Sequence, residues 1–158
     1  MVNKQIFSMK NLLMAGTVAV LGLMACEKDE NPTPIKTVFA LTASANSAQE
    51  VPTNASTGTG SMTGTYDSVS NVLTYSFIWS GLTGNVTNMH FHGPALPGVS
   101  AGVAQGTPGF PAVPAGSFNG TLTLTAAHEA DLFAGKWYWN VHTAANGGGE
   151  IRGQVAIN

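Results

Sequence analysis

Three histidines carry the chemistry this sequence could perform. His90 and His92 stand two apart in Met89-His90-Phe91-His92, and His142 closes Trp137-Tyr138-Trp139-Asn140-Val141-His142. On an extended strand successive side chains point to opposite faces. His90 and His92 therefore share one face, with Met89 and Phe91 on the other. By the same alternation Tyr138, Asn140 and His142 lie opposite Trp137, Trp139 and Val141. Imidazoles two residues apart can converge on one ion, and a third from another strand completes a trigonal set suited to copper or zinc. Rings sharing an ion with bonds near 2 Å should hold their nitrogens within about 4 Å of one another. The competing reading is a polar cluster in which the three histidines bind Glu150, Arg152 and backbone carbonyls, with Asn140 beside them. Glu150 and Arg152, two apart on one strand face, are expected to form an exposed pair of small energetic value. His128, the fourth histidine, falls in a helical segment and is expected to be solvated.

Other chemistries lack their signatures. No local Ser-His-Asp or Cys-His arrangement is present, and Gly147-Gly148-Gly149 sits in a hairpin rather than before a helix, so it is no phosphate cradle. No catalytic residue is assigned, and the expectation is a non-enzyme. Only 9% of residues are charged. From Thr37 onward the cations are Lys136 and Arg152, which excludes nucleic acid as a partner because nothing basic meets a phosphate backbone.

The elements that must position these residues are strands. Runs at 38–44, 58–66, 72–79, 86–92, 117–124, 136–143 and 150–157 alternate in polarity or are rich in β-branched and aromatic residues, with turn signals between them. The segment 95–116 is rich in Gly and Pro and reads as a long surface loop with a short strand near Val103. Such a loop on a rigid scaffold is a candidate contact surface. Thr125 to Ala134 is the one helical candidate, with Thr125 as N-cap and Gly135 placed to end it. The expected fold is all-β, a single antiparallel Greek-key sandwich or barrel-like domain with one short helix. Three Trp, all in this part, argue for a packed core rather than disorder.

The N-terminus reads differently. Lys4 and Lys10 precede an apolar run from Leu12 to Leu23, too short to span a bilayer and ordered as a secretory signal. Leu23-Met24-Ala25-Cys26 resembles the bacterial lipobox, with Met24 larger than the residue usual at its place, and Cys26 is the only cysteine. The resemblance implies cleavage before Cys26 and a lipidated thioether there, so the membrane is a partner through the anchor and no disulfide can form. Glu27-Lys28-Asp29-Glu30 then resembles the surface-export signal of some bacterial lipoproteins, a generic polar linker being the alternative. The expected organisation is a signal peptide over 1–25, a lipidated tether over 26–36 and a β-domain over 37–158. The expected location is the cell envelope, at the outer membrane and on its outer surface if the acidic cluster is an export signal.

The folded part resembles the CHRD domain, named after chordin and also found in bacterial secreted proteins. The matching segments are Ala48-Gln49-Glu50-Val51-Pro52, Thr57-Gly58-Thr59-Gly60, Gly81-Leu82-Thr83-Gly84 and His90-Phe91-His92-Gly93-Pro94-Ala95. The run Leu132 to Thr143 follows, then Gly149-Glu150-Ile151-Arg152-Gly153-Gln154. The resemblance covers about residues 37–157, with Gly147-Gly148 departing from a Pro common in that hairpin. It implies an immunoglobulin-like or barrel-like β-domain and little about activity. Gly-Leu-Thr-Gly leading to His90-Phe91-His92 is also similar to the copper strand of copper-zinc superoxide dismutases. That family's zinc loop and disulfide are missing here, which puts dismutase activity in doubt. Two functions stay open. One is a non-catalytic envelope binding or interaction module for a protein or glycan ligand. The other is a copper or zinc protein using His90, His92 and His142, where copper would admit redox chemistry.

Overall fold

The computed structural model describes residues 36–158. The signal segment, Cys26 and nearly all of the acidic tether lie outside the described residues. The strands are β1 (Val38–Asn46), β2 (Thr59–Asp67), β3 (Val72–Ser80), β4 (Val86–His92), β5 (Val103–Gly106) and β6 (Gly116–Thr123). The helix α1 (Ala126–Phe133) follows, then β7 (Tyr138–Thr143), β8 (Ile151–Gln154) and β9 (Ala156–Ile157). All pairings are antiparallel, in the order β5-β4-β7-β8-β1-β2-β3-β6, with β9 beside β1. The domain is all-β with one short helix, as its alternating strands predict.

The sheet curls into a half-barrel because its apolar face must be covered. In a flat sheet β3 and β7 would stand about 19 Å apart, four strand spacings of roughly 4.8 Å. Instead Phe77 of β3 stacks on Trp139 of β7 with centroids 4.4 Å apart and planes within 5°. Tyr75 meets Phe91 of β4 edge-on at 5.4 Å. Aromatic pairs of this kind contribute about 0.5–1.5 kcal/mol each beyond their burial. Leu41, Met62, Leu73, Met89 and Ile151 fill the core around them.

Local signals set the element ends. Thr125 accepts a hydrogen bond from the His128 N–H as N-cap of α1, and Gly135 takes the left-handed φ of +66° that ends the helix. The Lys136 N–H bonds the Asp131 carbonyl, which delays β7 until Tyr138. At the C-terminus the Val155 N–H bonds the Trp137 carbonyl. This break separates β8 from β9 and lets Ile157 pair with Leu41 of β1.

Candidate metal site

The site lies on the convex side of the sheet, across β4, β7 and β8. Register places His90 opposite Asn140 and His92 opposite Tyr138. Asn140 is in turn opposite Arg152, and Tyr138 opposite Gln154. This polar face is not the open surface that strand alternation suggests. Every residue of β7 is buried, because chain segments fold over both sides. Leu96 and Val99 offer their carbonyls to the Arg152 guanidinium, and Ala95 offers its own to the Gln154 amide. The segment after β4, expected as a surface loop, is tied down by the side chains beneath it.

The three histidines come together. His90 Nδ1 lies 3.1 Å from His92 Nε2 and 3.2 Å from His142 Nε2. One ligand atom from each ring lies within 4.8 Å of the other two. Two separations are those of rings sharing an ion, and a shift of about 1 Å in one ring would bring in the third. The nitrogens facing away are also fixed. His92 Nδ1 is 2.9 Å from the Ala101 carbonyl and His142 Nδ1 is 3.0 Å from the Gly147 carbonyl. A carbonyl only accepts, so each Nδ1 carries the hydrogen and each neutral ring turns the lone pair of Nε2 inward. Backbone acceptors on the outer nitrogen are how proteins orient metal-binding imidazoles.

Electrostatics favours the neutral form of His90 and His142. Burial, reinforced by His142 and His92, holds His90 down at about 4, against a smaller opposing effect of Asn140. Burial also lowers His142, with the Gly147 hydrogen bond opposing it and His92 adding to it. Unprotonated imidazoles are the form that binds metal.

The flanking residues depart from expectation. Arg152, 1% exposed, lies over the Tyr138 ring at 3.5 Å, and Tyr138 is parallel to His92 on its other neighbour strand. Glu150 does not join this group, nor does it pair with Arg152 at the surface. It precedes β8, is fully buried, and turns toward Thr143, on the core side of β7. There its carboxylate accepts from the hydroxyls of Ser56, Thr83 and Thr143 and from the Thr83 N–H. Burial pushes the Glu150 carboxyl up, but these four bonds outweigh it and hold the group below its usual value. His128 is half-buried rather than solvated, 3.1 Å from the Gln105 amide and edge-on to Trp137.

Reading the sequence by strand alternation missed Glu50. It sits after β1, 5% exposed, beside Asn140 and Arg152, both of which favour its charged form. Burial lifts its carboxyl to about 7 despite those two groups and the Val51 N–H. Its signal was its presence in Ala48-Gln49-Glu50-Val51-Pro52, since carboxylates are few in this chain. Glu50, Arg152 and Gln154 also floor a cavity of ≈ 420 Å³ beside Pro52 and Pro97.

The family model for the CHRD domain matches residues 41–155, so the match takes in all three histidines, Glu50 and Arg152. No curated protein and no solved structure gives a significant match to the chain.

Proposed function

The chain belongs to the CHRD domain family, and we propose that this member is a non-catalytic metal-binding module of the cell envelope. Its ligand is a divalent ion of the copper or zinc kind, held by His90 Nδ1, His92 Nε2 and His142 Nε2. One observation carries this reading. Three imidazoles from two strands turn the lone pairs of their inner nitrogens on one point, while backbone carbonyls hold the outer nitrogens of two of them. A merely structural polar cluster would spend those lone pairs on donors. Here His90 has a single Nδ1 hydrogen at most to share between two acceptors. Among the described residues there is no thiolate, and the thioether of Met89 is on the opposite, core face, so the donor set favours Cu(II) or Zn(II) over Cu(I). The lipobox at Leu23 to Cys26 supports anchoring of this module to a membrane. Among the described residues no helix is long and apolar enough to cross one.

The test is calorimetric titration of the full chain, extracted in a non-ionic detergent, with Cu(II) and Zn(II). One ion bound per chain at micromolar or tighter Kd, lost in His90→Ala and kept in His128→Ala, is the expected result. Binding no tighter than millimolar, or binding unchanged in His90→Ala, would refute it.

A further inference from the structure

Two groups beside the histidines have no part in the reading above. Asn140 Oδ1 stands 3.0 Å from His142 Nε2, and the same side chain also reaches His90. The Gly147 carbonyl places the hydrogen of His142 on Nδ1, so the neutral ring presents a lone pair at Nε2. That lone pair meets the amide oxygen, acceptor against acceptor. Glu50 lies beside Asn140, and a hydrogen bond from the Asn140 amide to its carboxylate would keep the amide oxygen turned toward His142. Glu50 is itself locked in place. Its carboxyl group lies against Cα of Gly149, where any β-carbon would collide with it, and Gly149 adopts a φ of +132° that favours glycine. Glu50 Oε1 is buried without a hydrogen-bond partner among the described residues.

We propose that Asn140 Oδ1 is the fourth ligand of the metal site and that Glu50 is its positioning residue, giving a three-nitrogen, one-oxygen set for a divalent ion. The proposal rests on the three-histidine reading. A cation between His142 Nε2 and Asn140 Oδ1 turns two opposed acceptors into two ligands. The spacings suit this. Ligands on bonds of about 2.0–2.1 Å stand about 2.9 Å apart at a square corner and about 3.3 Å apart along a tetrahedral edge. The separations of His90 from His92, His90 from His142 and His142 from Asn140 are 3.1, 3.2 and 3.0 Å. Charge also asks for a carboxylate. Three imidazoles and an amide leave a divalent ion uncompensated, and Arg152 adds a buried positive charge nearby. Glu50 supplies negative charge one hydrogen bond behind the ligand, as outer-shell carboxylates do.

The experiment is Cu(II) titration and electron paramagnetic resonance of the detergent-extracted full chain and its Asn140→Ala, Asn140→Asp and Glu50→Gln variants. Asn140→Ala should weaken Cu(II) binding by about 10–100-fold and change the parallel copper hyperfine coupling, while three-nitrogen superhyperfine structure persists. Asn140→Asp keeps an oxygen in place, so it should bind at least as tightly as the parent, with a spectrum altered by the added negative charge. Glu50→Gln should weaken binding by about 10-fold with three nitrogens retained. Parent-like affinity and spectrum in Asn140→Ala, with binding still lost in His90→Ala, would overturn the proposal and leave the three-histidine site standing. An unaltered spectrum in Asn140→Asp would overturn it too, without depending on how well the alanine variant folds. Absence of Cu(II) and Zn(II) binding in the parent chain is a separate result that removes the three-histidine site and this ligand with it.

Discussion

His92 and Tyr138 lie face to face across β4 and β7, ring centroids 4.8 Å apart and planes within 3°. The Tyr138 hydroxyl meets both the N–H and the carbonyl of Ala101, and that carbonyl also receives the His92 Nδ1 hydrogen. Tyr138 thus orients His92 twice, by its ring and through the loop it pins. Tyr138→Ala should lower metal affinity by about 10-fold or more, whereas Tyr138→Phe, which keeps the ring, should lose less. Equal loss in both would assign the effect to the hydroxyl alone.

A bound ion should stabilise the fold by mass action. At a free metal concentration 100 times Kd, the gain is about 2.7 kcal/mol. For a domain of about 120 residues this corresponds to a rise in Tm of about 10 °C. Differential scanning calorimetry should show the shift with Zn(II), its reversal by a chelator and its absence in His90→Ala.

The metal-free protein should show two opposed pH dependences. His90 is held at about 4 by burial and by His142 and His92, below the value near 6.5 of an unfolded chain. The unfolded state binds more protons in that window, so this stability is present above about pH 6.5 and lost as pH falls toward 4. Glu50 is raised to about 7 by burial, so the folded state binds more protons between about pH 4.5 and 7. Its contribution is present below that window and is lost as pH rises through it. The two oppose each other in the parent. Urea denaturation in the presence of a chelator should show stability climbing with pH more steeply in Glu50→Gln than in His90→Gln. Parallel profiles in the two variants would contradict this assignment.

Glu150 should matter for folding rather than for binding. Glu150→Ala strips acceptors from Ser56, Thr83 and Thr143 at once and should destabilise the domain by about 2–4 kcal/mol. An exposed ion pair would be worth no more than about 1 kcal/mol. Copper affinity per folded molecule should stay unchanged, which equilibrium denaturation combined with titration can check.

Cys26→Ser should move the protein from the detergent-rich to the aqueous phase in a cloud-point partition and abolish incorporation of labelled palmitate. Equal partition of both proteins would remove the anchor.

The sequence displayed the parts of this fold that depend on local period. Alternation in Val72 to Trp79, in Met89 to His92 and in Trp137 to His142 located β3, β4 and β7 and put the three histidines on faces opposite the core residues. Thr125 and Gly135 bracketed the helix through their own backbone preferences. Less was legible where a side chain's environment comes from distant segments. Nothing near Arg152 shows that the carbonyls of Leu96 and Val99 will cover it, so a buried cation looked like half of a surface pair. Glu150 follows the strand period on paper, yet the positive φ of Gly149 precedes it and its carboxylate turns to Thr143. Glu50 lay in a conspicuous motif, but its tie to Asn140 spans 90 residues and leaves no local trace.

The strand order also has a temporal side. β8 and β9 follow every other strand of the domain in sequence, yet β8 stands between β7 and β1 in the middle of the sheet. The ribosome delivers β1, β2 and β3 long before the strands that join them to the other half. An emerging chain can form the meander of those three, but the aromatic interior stays unsealed until residues 151–157 arrive. Non-local closure of this kind is slow. The half-barrel therefore stays open through most of the domain's synthesis and seals only when its last two strands have been made.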